Sequence, residues 1–126
     1  MMYAKPGSKG AVLQLQARYA NYINGEFVAP RQNQYFVNTS PVDGSVIGEF
    51  PRSDAADIEL ALDSAHAAAD AWGKTSVQQR SLILLKIAER IEANLELLAV
   101  AETWDNGKPV RETLGADVPL AVDHFR

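Results

Sequence analysis

The feature that most constrains the fold is a broad apolar stripe between Arg80 and Leu98. Apolar residues recur there at intervals of three and four, the spacing that places them on one face of an α-helix. The stripe contains Leu84, Ile87, Ala88, Ile91, Leu95 and Leu98, and it is widened by Leu82, Ile83 and Leu85. Because so wide a stripe is typical of a helix covered by several elements, the sequence predicts burial from more than one side.

Helix signals surround this stripe on both sides. Ser76 with Gln79 matches a capping box that begins it, and Asn94 is predicted to bend or re-cap the chain before Leu95. An earlier helix begins at Ser53 or Asp54 and ends at Gly73. Its apolar stripe consists of Ile58, Ala61, Leu62, Ala65, Ala69 and Trp72. Two amphipathic helices are therefore expected in the middle of the chain.

The C-terminal part of the chain is also predicted to be helical. Asn106-Gly107 followed by Pro109 indicates a helix end. Asp117, with Pro119 close behind, then predicts the start of a last helix that runs to Arg126 without a stop signal.

Two hairpin turns come before the helices. Asn24-Gly25 favours a type I′ turn, because both residues accept positive φ, and short apolar strands flank it from Tyr22 to Val28. A second turn runs from Pro41 to Gly44, between strands at 35–37 and 45–50. The predicted order is thus two hairpins and then three or four helices.

The remaining segments complete the domain prediction. Residues 1–18 are interpreted as a flexible N-terminal arm, and residues 19–126 as the folded part. Because no buried parallel strand alternates with the helices, no Rossmann unit is expected within these residues. The residues alone therefore indicate a soluble α+β piece of a larger body.

Composition excludes several classes of function. A net charge of −4 argues against nucleic acid as a partner. The longest apolar run, Leu97–Ala101, is too short to cross a membrane, and the N-terminus lacks the continuous apolar core of a signal peptide. The sequence has no cysteine, which is compatible with a reducing cytoplasm, the expected location. The acidic residues between Asp54 and Asp70, among them Asp57, are predicted to form a solvated helix face.

No complete active site can be assembled from the residues. Ser64 and His66 stand two positions apart on a helix and do not face each other, and His66 and His124 lie outside metal-binding motifs. The pairs Glu59/Asp63 and Glu92/Glu96 have the spacing of a wet helix face. Asp105 to Pro109 is interpreted first as a helix cap.

From about Tyr19 onward, the chain resembles the N-terminal segment of the NAD(P)-dependent aldehyde dehydrogenase superfamily. The similar segments are Tyr22–Val28, Asn38–Glu49 with Ser40 where Asn is usual, Asp57–Trp72, Arg80–Leu98, and Glu102–Pro109 with its E-T-x-D-x-G-K-P pattern. Thr103-Trp104 and the stretch from Arg111 to Arg126 resemble the bacterial acetaldehyde-type branch, although Gly115 replaces an expected Ala.

The resemblance implies an incomplete α/β aldehyde dehydrogenase-like fold: two N-terminal hairpins and three to four helices of the cofactor-binding domain, without the Rossmann strands. In that family a cysteine attacks the aldehyde, hydride passes to NAD or NADP, and a glutamate activates water. None of these groups maps onto this chain, so no catalytic or cofactor-binding residue is assigned. Asp105 matches an aspartate that helps to bind a structural monovalent cation, and Thr39 matches a residue whose backbone carbonyl joins it.

Two functional hypotheses follow. The first is a fragment of an oxidoreductase that converts a short, acetaldehyde-like substrate into its carboxylic acid, inactive alone and without bound cofactor. The alternative is a non-catalytic interaction fragment that associates with full-length or complementary aldehyde dehydrogenase subunits, because the wide stripe of Leu82–Leu98 needs cover. A third interpretation, an independent enzyme with other chemistry, is supported by no motif in the sequence.

Overall fold

The computed structural model describes residues 3–126 and divides into two compact units. The hairpin unit comprises residues 16–38 and 46–75, and the helical unit comprises residues 3–15, 39–45 and 76–126. Among the described residues, no helix has the length and hydropathy that crossing a membrane requires.

The hairpin unit begins with the type I′ hairpin that the sequence predicts. Strand β1 (Asn21–Ile23) pairs antiparallel with β2 (Glu26–Val28), so that Tyr22 faces Phe27. Asn24 and Gly25 adopt φ of 54° and 81°, the positive values that this turn demands. The Tyr22 and Phe27 rings lie 5.0 Å apart, and both side chains are exposed.

The second hairpin joins β3 (Tyr35–Thr39) to β4 (Val46–Pro51). The free edge of β4 pairs with the segment before β1: the Tyr19 amide donates to the Glu49 carbonyl, and the Glu49 amide donates to the Ala17 carbonyl. Tyr19 stacks on Phe50 with ring centroids 4.7 Å apart. A Cβ on Gly48 would lie 3.0 Å from the Gln16 carbonyl oxygen, so glycine permits this close approach.

Helix α1 (Ala55–Gly73) completes the hairpin unit and corrects one prediction. Asp54 caps the helix, in agreement with one of the two expected caps. Asp57 is only 3% exposed, whereas Glu59, Asp63 and Asp70 are exposed. The prediction of a solvated acidic face is therefore wrong for Asp57, because its carboxylate accepts backbone hydrogen bonds that only burial brings together.

The helical unit contains α2 (Val77–Ala93) and α3 (Leu95–Asn106), which meet at Asn94 as predicted. Its C-terminal part consists of α4 (Val110–Glu112), a π-helical turn (Thr113–Asp117) and α5 (Val118–Phe125). Helix α5 packs along α2, and α3 packs on the π-helical turn. The buried apolar residues of this unit are small: Ala88, Ala99, Val100, Val118 and Val122.

The last helix, α5, begins directly after Asp117 as predicted, but the Asp117 side chain forms no capping hydrogen bond. Residues 112, 113, 117 and 118 all have right-handed helical backbone angles, so one continuous helical segment runs from Val110 to Phe125. The π-helical turn ends two residues before Pro119, and a regular α-helix there would press the proline ring against the Gly115 carbonyl. Asp117 instead pairs with Lys108, whose ammonium lies 2.5 Å from Asp117 Oδ2.

Candidate functional site

Within the helical unit, the turn of residues 40–45 leads away from Thr39. The Ser40 amide donates to the Ser45 carbonyl and the Gly44 amide donates to the Ser40 carbonyl, both at 2.8 Å. Gly44 has φ of 74°, which favours glycine. The Val42 amide donates to Ser40 Oγ at 3.2 Å. These bonds make residues 40–45 a closed turn, which we call the Ser40 turn.

Asp43 stands at the tip of the Ser40 turn, and its carboxylate accepts several hydrogen bonds. Its Oδ2 accepts from the Lys5 ammonium at 2.8 Å, and its Oδ1 accepts from the Ser45 amide at 2.9 Å. The Lys5 hydrogen bond, followed by those from Ser45, lowers the pKa of Asp43 to about 2. The N-terminal arm therefore contacts the turn, and its Tyr3 hydroxyl also donates to Glu96 Oε1 at 2.9 Å.

The C-terminus of α3 carries the second predicted ligand, Asp105, which is exposed. Gly107 caps the helix with φ of 81°, and its amide donates to the Thr103 carbonyl at 2.8 Å. Asn106 Oδ1 accepts from the Lys108 amide at 2.8 Å. Because the last carbonyls of a helix give this end a partial negative charge, the surroundings of Asp105 favour a cation.

One hydrogen bond joins the Ser40 turn to this helix end. Ser40 is 2% exposed, and its hydroxyl donates to the Trp104 carbonyl at 2.5 Å. A Cβ on Gly107 would lie 3.2 Å from Pro41 Cγ, so the turn also packs closely on the helix cap. Thr39 precedes Ser40 and Asp105 follows Trp104, which places each predicted ligand next to one end of the bond.

The donor set suits a hard monovalent cation in its chemistry. A carboxylate and a backbone carbonyl are oxygen donors of the kind that alkali and alkaline-earth ions prefer. Within residues 3–126 no group of three or more His, Cys, Asp or Glu side chains is arranged to hold a metal ion. The described residues therefore supply part of a coordination sphere.

The other residues that the sequence singled out make no catalytic arrangement. Both Ser64 and His66 lie on α1, and His66 is exposed. In the second carboxylate pair, Glu92 contacts Arg126 at 2.5 Å, while Glu96 accepts from Tyr3. The Tyr3 hydrogen bond to Glu96 raises the pKa of that phenol, which makes it a poorer acid. Glu92 and Glu96 therefore take part in contacts between surface side chains.

Two buried hydroxyl groups were missed by sequence reasoning. The Thr113 hydroxyl is fully buried at the start of the π-helical turn, 3.0 Å from the Ala99 carbonyl oxygen and 3.1 Å from the Thr103 hydroxyl. In the sequence, Ser40 stands out only as a departure from the family pattern, which usually has Asn there. A signal was present for Ser40, since a small hydroxyl residue directly before Pro41-Val42 often bonds the backbone of its own turn.

Comparison with known proteins identifies the family. The sequence profile of the aldehyde dehydrogenase family matches residues 27–126. An acetaldehyde dehydrogenase of Pseudomonas aeruginosa is 72% identical over all of this chain and 25% of its own length. A long-chain-aldehyde dehydrogenase of an Acinetobacter species is 60% identical, again over all of this chain and 25% of its own length.

Solved structures agree with the sequence match. The crystal structure of PnpE in complex with nicotinamide adenine dinucleotide superposes with a TM-score of 0.84 and 38% identity, over 86% of this chain and 22% of PnpE. Indole-3-acetaldehyde dehydrogenase complexed with NAD+ gives a TM-score of 0.84 and 34% identity, over 88% of this chain and 23% of that one.

The chain therefore belongs to the aldehyde dehydrogenase family. It spans about a quarter of the length of the curated relatives it matches. Its two hairpins and following helices are those of the N-terminal segment of such an enzyme.

Proposed function

We propose that this chain is the N-terminal part of an aldehyde dehydrogenase that oxidises a short aldehyde to its carboxylic acid with NAD or NADP. The observation that carries the proposal is the 72% identity, in an alignment over the whole of this chain, to a protein named acetaldehyde dehydrogenase. The 60% identity to a long-chain-aldehyde dehydrogenase is lower, which favours the short substrate.

These 126 residues are proposed to be inactive alone and to bind no cofactor. The family's nucleophile is a cysteine, and this sequence contains none. The work proposed for the segment is structural: it holds the helices of the cofactor-binding domain and contributes Thr39 and Asp105 to a monovalent cation site. We also propose a cytoplasmic location, which is compatible with the absence of cysteine and which cell fractionation would test.

A chimera tests the catalytic proposal. The corresponding N-terminal quarter of the Pseudomonas aeruginosa relative is replaced by these 126 residues, and reduction of NAD and of NADP is followed with acetaldehyde and with a long-chain aldehyde. We expect the chimera to retain the activity of the intact relative with acetaldehyde. A well-folded chimera that oxidises neither aldehyde would contradict the proposal that these residues serve an aldehyde dehydrogenase.

The isolated chain provides the second arm of that experiment. We expect it to reduce neither cofactor at any aldehyde concentration, while the intact relative does so under the same conditions. Reduction of NAD by the purified 126-residue chain would overturn the proposal that it is inactive alone.

A second function, association with aldehyde dehydrogenase subunits, is favoured by the surface of α2. Its large apolar residues are exposed in the structure, Leu82 to 57% and Leu84 to 46%, and Ile83, Leu85 and Ile87 are also exposed. Large exposed apolar surfaces mark interaction sites or a tendency to aggregate. The predicted burial of this stripe is wrong for residues 3–126, where Ala88 is its buried member, and the proposed partner would cover the large side chains.

Co-elution tests the association. The chain is mixed with a full-length relative and separated by size-exclusion chromatography, using wild type and a Leu82→Asp/Leu85→Asp variant. Gln78→Asp, also on the exposed surface of α2, is the matched control. We expect the wild type and the control to co-elute with the relative and the double variant to elute separately. Separate elution of the wild type would refute the association.

A further inference from the structure

We propose that Ser40 is the positioning residue of the cation site, because it fixes the orientation of the two peptide groups that flank the ligands. This inference rests on the proposed site at Thr39 and Asp105. Ser40 itself is not proposed as a ligand. It acts through the bond that joins the Ser40 turn to the end of α3.

Ser40 uses all of its hydrogen-bonding groups within the helical unit. Its hydroxyl donates to the Trp104 carbonyl and accepts from the Val42 amide. Its amide donates to the Ser45 carbonyl, and its own carbonyl accepts from the Gly44 amide. Because the side chain is 2% exposed, water cannot readily replace a lost partner. The residue is thus held in one orientation.

The first consequence concerns the carbonyl of Thr39. This carbonyl and the Ser40 amide belong to one planar trans peptide group, so they point in opposite directions. Since the Ser40 amide is bonded to the Ser45 carbonyl, the Thr39 carbonyl must point away from Ser45. The Ser40 turn therefore directs the proposed carbonyl ligand.

The second consequence concerns Asp105. The Trp104 carbonyl shares its peptide group with the Asp105 amide, and that carbonyl accepts from the Ser40 hydroxyl. Gly107 and Pro41 meet nearby, where a Cβ would be only 3.2 Å from Pro41 Cγ. One side chain thereby sets the spacing between the strand end that carries Thr39 and the helix end that carries Asp105.

The test measures the cation dependence of stability in the chimera with the Pseudomonas aeruginosa relative, because these 126 residues supply only part of the coordination sphere. Thermal midpoints are measured in potassium or sodium chloride and in tetramethylammonium chloride at equal ionic strength, since a bound ion stabilises the folded state by mass action. The variants are Ser40→Ala, Ser40→Thr and Asp105→Asn. Ser45→Ala is the matched control, because it removes a hydroxyl from the same turn that bonds only Asp43.

We expect Ser40→Ala to weaken cation binding roughly fivefold, the loss that corresponds to one net hydrogen bond, with Ser45→Ala unchanged. Ser40→Thr restores binding because it keeps the hydroxyl, and Asp105→Asn abolishes the cation response. Equal cation responses in Ser40→Ala and Ser45→Ala would overturn the role of Ser40 and leave the site standing. No cation response in the unsubstituted chimera would overturn the site itself, and with it this inference.

Hydrogen exchange in the unsubstituted chimera keeps the inference testable if Ser40→Ala fails to fold. We expect potassium or sodium to slow exchange of the Ser40, Val42 and Gly44 amides, relative to tetramethylammonium, because the ion and the turn stabilise each other. Slowing confined to the end of α3, with no effect on these three amides, would overturn the coupling.

Discussion

Helices α1 and α2 begin with the same reciprocal arrangement but depend on different surroundings. In α1, the Asp57 amide donates to Asp54 Oδ1 at 3.2 Å and the Asp54 amide donates to Asp57 Oδ2 at 3.1 Å. In α2, the Gln79 amide donates to Ser76 Oγ and the Ser76 amide donates to Gln79 Oε1, both at 3.1 Å. Both are capping boxes, which satisfy amides that the first turn leaves free.

The difference lies in burial and in a third bond. Asp57 is buried, and its Oδ1 accepts from the Arg31 amide at 2.9 Å, so the α1 box also fixes a loop of the hairpin unit. Ser76 and Gln79 are exposed, and the α2 box is purely local. A local motif therefore sets where a helix begins, while burial decides how much of the surrounding structure depends on it.

The largest effect is expected from Asp57→Ala. The change leaves the Arg31 and Asp54 amides without their acceptor in a site that water reaches poorly, and buried unsatisfied donors are costly. Urea denaturation followed by circular dichroism should show a loss of stability greater than that of Ser76→Ala. Equal losses in the two variants would show that the third bond has no energetic consequence.

A pH dependence specific to α1 is expected next. The amide of Arg31, and after it that of Asp54, lowers the pKa of Asp57, so the charged carboxylate stabilises the folded state above the ordinary aspartate pKa of about 3.9. That contribution is lost as the pH falls through the lower, folded-state pKa. The stability difference between wild type and Asp57→Asn should therefore shrink below about pH 4. A stability difference between the two proteins that stays constant with pH would contradict this expectation.

Ser76→Ala should have a smaller effect, about 1 kcal/mol, which is the usual cost of removing a side-chain N-cap. The Gln79 amide loses its acceptor but stays exposed to water. Ser81→Ala, an exposed change within the same helix, serves as the control in urea denaturation. If Ser76→Ala matched Ser81→Ala in stability, the cap would contribute nothing.

The smallest effect is expected from Gln79→Ala, about 0.5 kcal/mol or less, because its bond to the Ser76 amide is exposed. The higher helix propensity of alanine offsets part of the loss. Hydrogen exchange of the Ser76 amide should accelerate even where urea denaturation shows little change. Unchanged exchange of that amide would indicate that the Gln79 side chain does not bond it in solution.

Much of the local structure was predictable because it depends on neighbours in sequence. Asn24-Gly25 requires its turn for steric reasons, the Ser76–Gln79 box bonds within one helical turn, and Gly107 ends α3 in the left-handed region. The predicted start of the last helix at Asp117 is confirmed, but its side chain does not cap the helix and instead pairs with Lys108, nine positions earlier. The Asp117 carboxylate raises the pKa of Lys108, in keeping with that contact.

The candidate site was predictable only in part. Thr39 and Asp105 were assigned as ligands through the resemblance, and their ligation stays a prediction. Sequence reasoning did not find the contact that brings their neighbours together, because Ser40 and Trp104 are 64 positions apart. A hydroxyl group in the sequence gives no indication of which distant carbonyl it will reach.

The sequence by itself determined the element order, most helix boundaries and the amphipathic stripes of α1 and α2, since these follow from backbone sterics and short-range hydrogen bonds. Only the tertiary structure decided that Asp57 is buried, that Ser40 joins a turn to a helix end, and that the large residues of α2 remain exposed. Burial of a given side chain depends on which surfaces meet, and surfaces meet through contacts between segments far apart in the chain.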